Sequence, residues 1–386
     1  MTDVVIAGIG QTKVGELWDI GLRDLAFDAI QDAVKDSGGL KPQALFVGNM
    51  LSQNLSNQAH LGALIADYAG LTGIEAITIE AAGASGGAAL RQGYLAIASG
   101  MVDIALVVGV EKFTDQVGSG VDAALATTSD SDFEAVQGTT PTSQAALLMR
   151  RYMHEYQVPA DGFAGFALTA HANGANNPCA MFRKAIKLET YIKAEMVSEP
   201  LNMFDIAPNA DGAAAVVLTH RELLPLNFAH PLVKISGSAS ASDTLALHDR
   251  KDMLYFDTAQ LSAGKAMKQA GITLDQINFF EYHDMFSIYA ALQLEAIGFA
   301  IKGKGWKLAV DGAIGLQGKI PCATMGGLKA RGFPGGASGV YQAVEAATQL
   351  RGQAGTNQIT GAKYGLIQSL GGPASTAVSH ILQKLN

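Results

Sequence analysis

Apolar residues occur along the chain in two patterns, short continuous runs and helical repeats. Each pattern predicts one kind of element. Short apolar runs bounded by glycine or polar residues indicate buried strands at residues 4–10, 45–47, 78–80 and 104–110. Between the first two runs, apolar residues recur every three or four positions from Leu22 to Val34, which predicts a helix with one buried face. A second helix is predicted to end near Ser99. The order βαβαβ is typical of right-handed crossovers in a largely parallel sheet.

The later part of the chain repeats this order. An apolar helical face runs from Ala259 to Ala270, and a strand is predicted over residues 277–281. The glycine-rich segment 335–339 then opens a helix, as segment 83–87 does earlier, and a last strand is predicted over residues 364–368. The simplest account is a duplicated βαβαβ unit, with one half at residues 1–225 and the other at residues 226–386.

Residues from about 114 to 200 interrupt the first half. They contain a Ser/Thr/Asp-rich loop at 127–132 and predicted helices around 143–156 and 163–173. The sheet pattern returns only with a strand at 213–218. We therefore expect an insertion carried on the first half.

Composition narrows the class of protein. The 386 residues are 48% hydrophobic and 16% charged, with 27 basic and 35 acidic side chains and a formal net charge of −8. The apolar content argues against disorder, and the acidic balance argues against a nucleic-acid-binding surface. No apolar run is long enough to span a bilayer, and no basic residue precedes the first apolar run as in a signal peptide. We expect a cytoplasmic α/β protein with no membrane span, no nucleic-acid partner and no bound metal.

Several motifs that are weak singly occur together and in order. They are residues 8–13 (GIGQTK), 177–178 (NP), 211–215 (DGAAA), 241–250 (ASDTLALHDR), 283–286 (HDMF) and 326–332 (GGLKARG). With them the chain resembles the thiolase superfamily over nearly its whole length, in particular the bacterial and archaeal acetyl-CoA acetyltransferases related to sterol-carrier-protein thiolase. The resemblance implies the thiolase fold, in which two βαβαβ halves form a five-layered α-β-α-β-α sandwich and an inserted loop domain covers the active site. It also implies an acyl-CoA substrate, no permanently bound cofactor, and a homodimer or tetramer.

The residues that carry the chemistry of this family are only partly present. The family's nucleophile is a cysteine at a helix N-terminus, in a segment similar to residues 80–86 (EAAGASG), but this chain has Gly83 in its place. The activating histidine of a Gly-His-Pro turn is replaced by Phe333. The histidine that supports the family's oxyanion hole is retained as His283, and the late glycine loop is retained in backbone form at Gly372, although the preceding His-Asn pair is changed to Gln-Ser.

The paired loss of nucleophile and base indicates a native difference, because the two groups work as a unit. Glycine excludes an acyl-enzyme at position 83. Cys322 could be a relocated nucleophile, but a small buried hydrophobic role is the commoner one, and Cys179 is expected to be structural. Ser85 is expected to cap its helix, and residues 248–250 are expected to form a hydrogen-bonded loop. For coenzyme A, the candidate contacts are Ser242, Lys329 and Arg331. The last two either meet its phosphates or are simply solvated.

Three hypotheses of function follow. The first is C–C bond cleavage or formation on a CoA thioester, as in retro-aldol cleavage of a 3-hydroxyacyl-CoA, with His283 and backbone donors as an oxyanion hole. Certain steroid side-chain aldolases resemble this arrangement and pair with a small OB-fold, zinc-ribbon protein, but they have tyrosine where Phe333 stands. The base is therefore open, with Tyr255, Tyr282 and Tyr289 as candidates. The second hypothesis is an acetyltransferase with a relocated nucleophile, and the third is a non-catalytic subunit of a multi-subunit acyl-CoA enzyme.

Overall fold

The computed structural model of the chain describes residues 3–226 and 228–385. Within these residues, the strands are β1 (Val4–Gln11), β2 (Ala44–Gly48), β3 (Glu75–Ile79), β4 (Ile104–Glu111), β5 (Met196–Ser198), β6 (Leu201–Asn202), β7 (Gly212–His220), β8 (Val233–Ser242), β9 (Phe279–Glu281), β10 (Tyr364–Gly371) and β11 (Thr376–Lys384). The helices are α1 (Leu22–Asp36), α2 (Ser52–Leu55), α3 (Leu61–Tyr68), α4 (Ser85–Ala98), α5 (Ser119–Ala126), α6 (Pro141–Tyr156), α7 (Ala164–Gly174), α8 (Leu188–Ile192), α9 (Asp257–Ala270), α10 (Ser287–Ile297), α11 (Gly305–Val310), α12 (Gly327–Arg331) and α13 (Ser338–Arg351).

Nine strands form one sheet in the order β3-β2-β4-β7-β1-β8-β11-β10-β9, and β5 and β6 form a separate hairpin. The two halves of the chain meet at β1 and β8, which pair antiparallel with Ile6 opposite Val233. Outward from this seam the first half places β7, β4, β2 and β3, and the second places β11, β10 and β9. Beyond β9, Phe280 makes one parallel bridge to Cys322, in the place that β3 occupies in the first half. The mirrored order supports a duplicated unit.

The expectation of a largely parallel sheet is wrong. Parallel pairing is confined to β2 with β3, β2 with β4 and β9 with β10, and the other neighbours in the sheet run antiparallel. The reason is the pair of strands at the centre of each half, β1 with β7 and β8 with β11. Of these, β8 and β11 are not predicted by the sequence pattern, and β11 follows β10 through a short turn that can join only antiparallel neighbours.

Helices cover both faces of each half and give the five layers that the resemblance implies. Helix α1 packs outside β1, β7 and β4, and α9 packs outside β8 and β11. Helices α4 and α13 lie between the halves, because each contacts strands of both. Glycine allows this central layer to be thin: a Cβ on Gly86 would lie 2.7 Å from the carbonyl oxygen of Gly336, and one on Gly339 would lie 2.2 Å from the amide nitrogen of Gly87.

The interruption of the first half contains α5 to α8 and the β5–β6 hairpin. Helix α6 begins at a capping box in which the Thr140 hydroxyl accepts the N–H of Ser143 and the Ser143 hydroxyl accepts the N–H of Thr140. Helices α6 and α7 pack against α10, α11 and α12 of the second half. The insertion therefore rests on the half to which it does not belong in sequence. Across residues 3–226 and 228–385, no helix is both long enough and apolar enough to cross a membrane.

Candidate active site

The four residues that the sequence suggests for catalysis line one narrow cavity of about 20 Å³. Gly83 lies in the turn before α4, His283 follows β9, Phe333 follows α12, and Gly372 follows β10. Strands β9 and β10 are parallel neighbours, so their carboxyl ends reach the same edge of the sheet. The remaining lining residues are Met50, Ala82, Leu125, Thr128, Pro141, Met285, Tyr289 and Leu370.

The space above Gly83 is already occupied by neighbouring atoms. A Cβ at this position would lie 2.7 Å from the carbonyl oxygen of Leu370 and 3.0 Å from Cε1 of His283. Both distances are shorter than ordinary van der Waals contact, so a side chain would force the backbone or the imidazole to move. The site has therefore closed over the position of the missing nucleophile.

The backbone of His283 is anchored by a side chain, and its imidazole is uncharged at neutral pH. Its backbone N–H donates to Oε1 of Gln293 (3.0 Å), and Nε2 of Gln293 donates back to the carbonyl oxygen of His283 (2.8 Å). Burial, helped by the charge of Arg331, lowers the pKa of the imidazole to about 3. Nδ1 is buried and has no hydrogen-bond partner among the described residues, whereas Nε2 lies 3.2 Å from the Cβ position of Gly83. With its proton on Nε2, the neutral ring donates toward the cavity.

Phe333 stands where the family's activating histidine is expected, and it makes the site apolar there. Its ring meets the imidazole of His283 edge to face, with 5.7 Å between the centroids, and packs at 6.2 Å from Phe113. The ring is fully buried and carries no proton to exchange. Phe333 therefore offers no base to a thiol at position 83.

Tyr289 is the one candidate tyrosine of the three that the structure brings to the cavity. Its hydroxyl is buried without a hydrogen-bond partner among the described residues, and burial raises its pKa. Tyr282 is buried outside the cavity, and Tyr255 lies half-buried beside Lys302. Apart from His283 and Tyr289, the protic side chain of the lining is Thr128, whose hydroxyl donates to the carbonyl oxygen of Leu125.

The two cysteines lie elsewhere. Cys322 is fully buried, its thiol donates to the carbonyl oxygen of Ile320, and burial raises its pKa well above the ordinary value. Cys179 lies in the insertion and is half-buried. Neither lines the cavity, so the structure offers no support for a relocated nucleophile. The hydroxyl of Ser85 accepts the N–H of Ala81 and donates to Ala82, which closes the turn that carries Gly83.

The three candidate contacts for coenzyme A are dispersed. Ser242 is the exposed last residue of β8, just before the loop that leads to residues 248–250. Lys329 is buried on α12 and donates to the carbonyl oxygen of Asp205 (2.7 Å). Arg331 is also fully buried, paired with Glu345 (Nε to Oε1, 2.9 Å) and stacked over Tyr341. Contrary to the expectation of solvent-facing cations at the phosphates, both side chains face the interior.

Two residues that support the site are not evident from the sequence. Gln293 lies ten positions beyond His283, a spacing that matches no sequence motif, and the fold brings its amide back to the His283 backbone. Arg250, expected to belong to a polar loop, donates from its guanidinium to the carbonyl oxygens of Thr244 and Pro373 and to the hydroxyl of Ser375. It thereby ties the loop after β8 to the turn that carries Gly372. Among the described residues no group of three or more His, Cys, Asp or Glu side chains is suited to hold a metal ion.

Comparison with known proteins gives matches over the whole chain. A family model described as "Thiolase, N-terminal domain" matches residues 4–222, and one described as "Thiolase C-terminal domain-like" matches residues 239–384. The chain is 43% identical to an acetyl-CoA acetyltransferase of Methanothermobacter thermautotrophicus over 386 residues, 100% of both chains. It is 31% identical to the benzoylsuccinyl-CoA thiolase subunit BbsB of Thauera aromatica, over 91% of this chain and 89% of that protein. The solved structure of an Ltp2-ChsH2(DUF35) aldolase has a TM-score of 0.84 at 23% identity, over 99% of this chain and 98% of that chain.

Proposed function

This chain belongs to the thiolase family, and we propose that it breaks or forms a carbon–carbon bond on a CoA thioester without a cysteine acyl-enzyme. Thiolases in general act on CoA thioesters and need no permanent cofactor. The reaction we propose is the retro-aldol cleavage of a 3-hydroxyacyl-CoA, or its reverse. The observation that carries the proposal is the closed position 83, where Leu370 and His283 fill the space of a nucleophile and Phe333 stands in place of the activating histidine.

In the cleavage direction, a base removes the proton of the 3-hydroxyl and the C2–C3 bond breaks. C3 becomes the carbonyl carbon of an aldehyde or ketone, and the electron pair passes to C2, giving a thioester enolate that is then protonated at C2. The enolate oxygen carries the developing charge. The neutral Nε2–H of His283 and the backbone N–H of Gly372 are the donors that we assign to that oxygen.

We assign the exchange of the hydroxyl proton to Tyr289. It lines the cavity, and no hydrogen bond to the described residues engages its hydroxyl. Its raised pKa keeps it protonated at neutral pH, which suits a proton donor to the C3 oxygen in the condensation direction. The cleavage direction needs Tyr289 as the phenolate, which the raised pKa makes scarce, so the arrangement favours condensation. Phe333 excludes water from this side of the site.

The partner and compartment are parts of the same proposal. The chain forms a homodimer or tetramer in the cytoplasm and binds a small OB-fold, zinc-ribbon protein. Support comes from the fold neighbour named as an Ltp2-ChsH2(DUF35) aldolase, whose name includes a second component, and from the relative that is named as a thiolase subunit.

A non-catalytic subunit is the second candidate function. It is favoured by one observation, the volume of the cavity: about 20 Å³ holds little more than one water molecule. In that case the chain would contribute structure to a partner that holds the chemistry.

The test is turnover of a panel of 3-hydroxyacyl-CoA thioesters by the full chain, alone and with any protein that co-purifies. We expect aldehyde or ketone release, with kcat falling by roughly 100-fold in His283→Ala, the usual effect of removing one oxyanion donor. His154→Ala is the matched control, because His154 is exposed on α6 and lies outside the cavity. Unchanged turnover in His283→Ala would refute the oxyanion role. Absence of turnover under every condition would refute the enzyme and leave the non-catalytic subunit. An acetyl adduct on the intact protein after incubation with acetyl-CoA would revive the acyl-enzyme.

A further inference from the structure

The buried amide of Gln342 joins strands β9 and β10 at the point where their backbone pairing ends. Gln342 lies on α13, in the central layer, and is 1% exposed. The last pair of the parallel ladder between the two strands is Glu281 with Ile367. Beyond this pair one strand leads to His283 and the other to Gly372, the two oxyanion donors assigned above. The ladder therefore stops just before the residues whose spacing matters to the proposed chemistry.

Both polar atoms of the Gln342 amide are engaged with these two strands. Nε2 donates to the carbonyl oxygens of Glu281 (3.1 Å) and Tyr282 (2.9 Å) at the end of β9. It also donates to the carbonyl oxygen of Gln368 on β10 (3.0 Å), and Oε1 accepts the hydroxyl of Ser369 (2.9 Å). We call this set of contacts the amide clamp. It holds the two segments together beyond their last backbone pair, where the ladder no longer does so.

The Ser369 hydroxyl of the amide clamp is confined by two glycines. A Cβ on Gly87 would lie 2.8 Å from this oxygen, and one on Gly339 would lie 2.6 Å from it. Glycine at both positions leaves just enough room for the hydroxyl beside Gln342. Gln368 and Ser369 are also the pair that stands where the family has His-Asn. The changed pair therefore has a use of its own in this chain, as the β10 side of the clamp.

We propose that Gln342 is a positioning residue for the oxyanion hole, and that its amide fixes the distance between Nε2 of His283 and the backbone N–H of Gly372. The inference rests on the proposed function, because these two groups are the donors assigned there to the enolate oxygen. His283 directly follows Tyr282, and Gly372 lies three residues beyond Ser369, so a shift at the clamp reaches both donors through short stretches of backbone. A misplacement of about 1 Å at a reacting centre can cost about 100-fold in rate.

Gln342→Met tests this role, because methionine has a similar length and volume but makes none of the four hydrogen bonds. The matched control is Gln349→Met, at a second buried glutamine about two turns further along α13 and outside the site cavity. The Gln349 amide donates to the carbonyl oxygen of Asn357 (2.8 Å) and accepts the N–H of Ile359 (3.0 Å). Both variants should lose stability, since each leaves buried backbone groups without a partner.

The first readout is turnover of the 3-hydroxyacyl-CoA that the wild type cleaves fastest. In Gln342→Met we expect kcat to fall roughly 10-fold to 100-fold and KM to stay within about twofold of wild type, because the loss affects the transition state. Gln349→Met should keep both constants within about twofold of wild type. Equal kcat in the two variants would overturn the inference, and so would a rise in KM that accounts for the whole loss of kcat/KM.

Enolate formation gives a second readout that needs no cleavage of a carbon–carbon bond. In D₂O, C2 of acetyl-CoA loses a proton to give the enolate, which takes up a deuteron from solvent, and the mass of acetyl-CoA rises. This exchange should slow in Gln342→Met by about the same factor as kcat. Ser369→Ala removes one contact of the clamp and should lower both rates about fivefold, the effect of one neutral hydrogen bond. It decides the question if Gln342→Met does not fold, and unchanged rates in Ser369→Ala would then overturn the inference.

Amide hydrogen exchange of the folded proteins, read by mass spectrometry, separates this inference from the proposed function. Peptides that contain residues 280–286 and 368–373 should exchange about tenfold faster in Gln342→Met than in the wild type, because both strand ends lose their tie. In Gln349→Met the same peptides should match the wild type. Unchanged exchange of these peptides in Gln342→Met would refute the positioning role whatever the activity. Wild-type protein with neither turnover nor deuterium uptake into acetyl-CoA would refute the proposed function, while the amide exchange would still decide whether Gln342 holds the two strand ends.

Discussion

Restoring a cysteine at position 83 is expected to destabilise the protein without rebuilding a thiolase. The new Cβ would lie 2.7 Å from the backbone oxygen of Leu370, which cannot swing aside as a side chain can, and 3.0 Å from the His283 ring. Overpacking of this kind costs about 1–3 kcal/mol. At about 1.4 kcal/mol for each factor of ten, the ratio of folded to unfolded protein should fall by roughly 5-fold to 150-fold. The thiol would also enter a cavity of about 20 Å³ with Phe333 in place of a base.

The measurement is urea unfolding followed by circular dichroism, with Gly264→Cys as the control. Gly264 is an exposed glycine of α9, and a Cβ there would meet no atom within 4 Å. Cysteine is a slightly better helix former than glycine, so the control should match or slightly exceed the stability of the wild type. Alkylation of the native proteins by iodoacetamide should be about tenfold slower at position 83 than at position 264, because a buried thiol has a raised pKa.

Two results would refute this reasoning. If Gly83→Cys had the same unfolding free energy as Gly264→Cys, Leu370 and His283 would not be filling the space above position 83. If Gly83→Cys also took an acetyl group from acetyl-CoA, seen as a mass increase of the intact protein, the site would retain the means to activate a thiol without a histidine at Phe333. The proposal of a mechanism without an acyl-enzyme would then lose its main support.

Three further predictions concern other buried groups. Tyr289→Phe should leave the unfolding free energy within about 0.5 kcal/mol of wild type, since the hydroxyl lacks a partner among the described residues, yet lower kcat about 100-fold; an unchanged kcat would remove this hydroxyl from the mechanism. Gln293→Leu should lower kcat far more than it changes KM. Gln293→Glu should partly restore kcat, because it keeps the acceptor for the His283 N–H; an equal loss of kcat in the two variants would indicate a purely structural role. Burial lowers the pKa of His380 to about 4, so the unfolded state binds more protons between pH 4 and 6.5 and stability rises with pH there. His380→Gln should flatten that rise by about 1.4 kcal/mol per pH unit in urea titrations, and an identical slope would contradict the pKa.

The site residues could be named from the sequence because the motifs around them resemble those of the thiolase superfamily. Only His283 also had a reason of its own, since it follows a short apolar run at a predicted strand end. The direction of the central strands could not be predicted, since a short apolar run is the same in parallel and antiparallel pairs. The sequence pattern did not predict β8, because this strand contains many small residues in place of an apolar run. The strand packs closely against α9, where a Cβ on Gly237 would lie 2.0 Å from the carbonyl oxygen of Ala266.

The interior charges show where sequence reasoning fails. A lysine and an arginine in a glycine-rich segment suggest a solvated face, yet Lys329 and Arg331 are both buried. Arg331 pairs with Glu345, which lies on a different helix, and Lys329 meets a backbone oxygen far earlier in the chain. Partners at such separations leave no periodic signal, so the tertiary structure alone reveals that these cations belong to the core.

The contact between the first turns of α4 and α13 limits how this site can change. Gly86 and Gly339 hold two backbones so close that neither can gain a side chain without separating the halves of the molecule, and Gly83 lies in the turn directly before α4. The side of the cavity that Gly83 forms therefore cannot move unless the distance between α4 and α13 also changes. Room for a larger substrate has to come from the opposite wall, where Met285, Pro141 and the insertion face the cavity. A protein built in this way can diversify its substrates by altering one wall of the cavity while its fold stays the same.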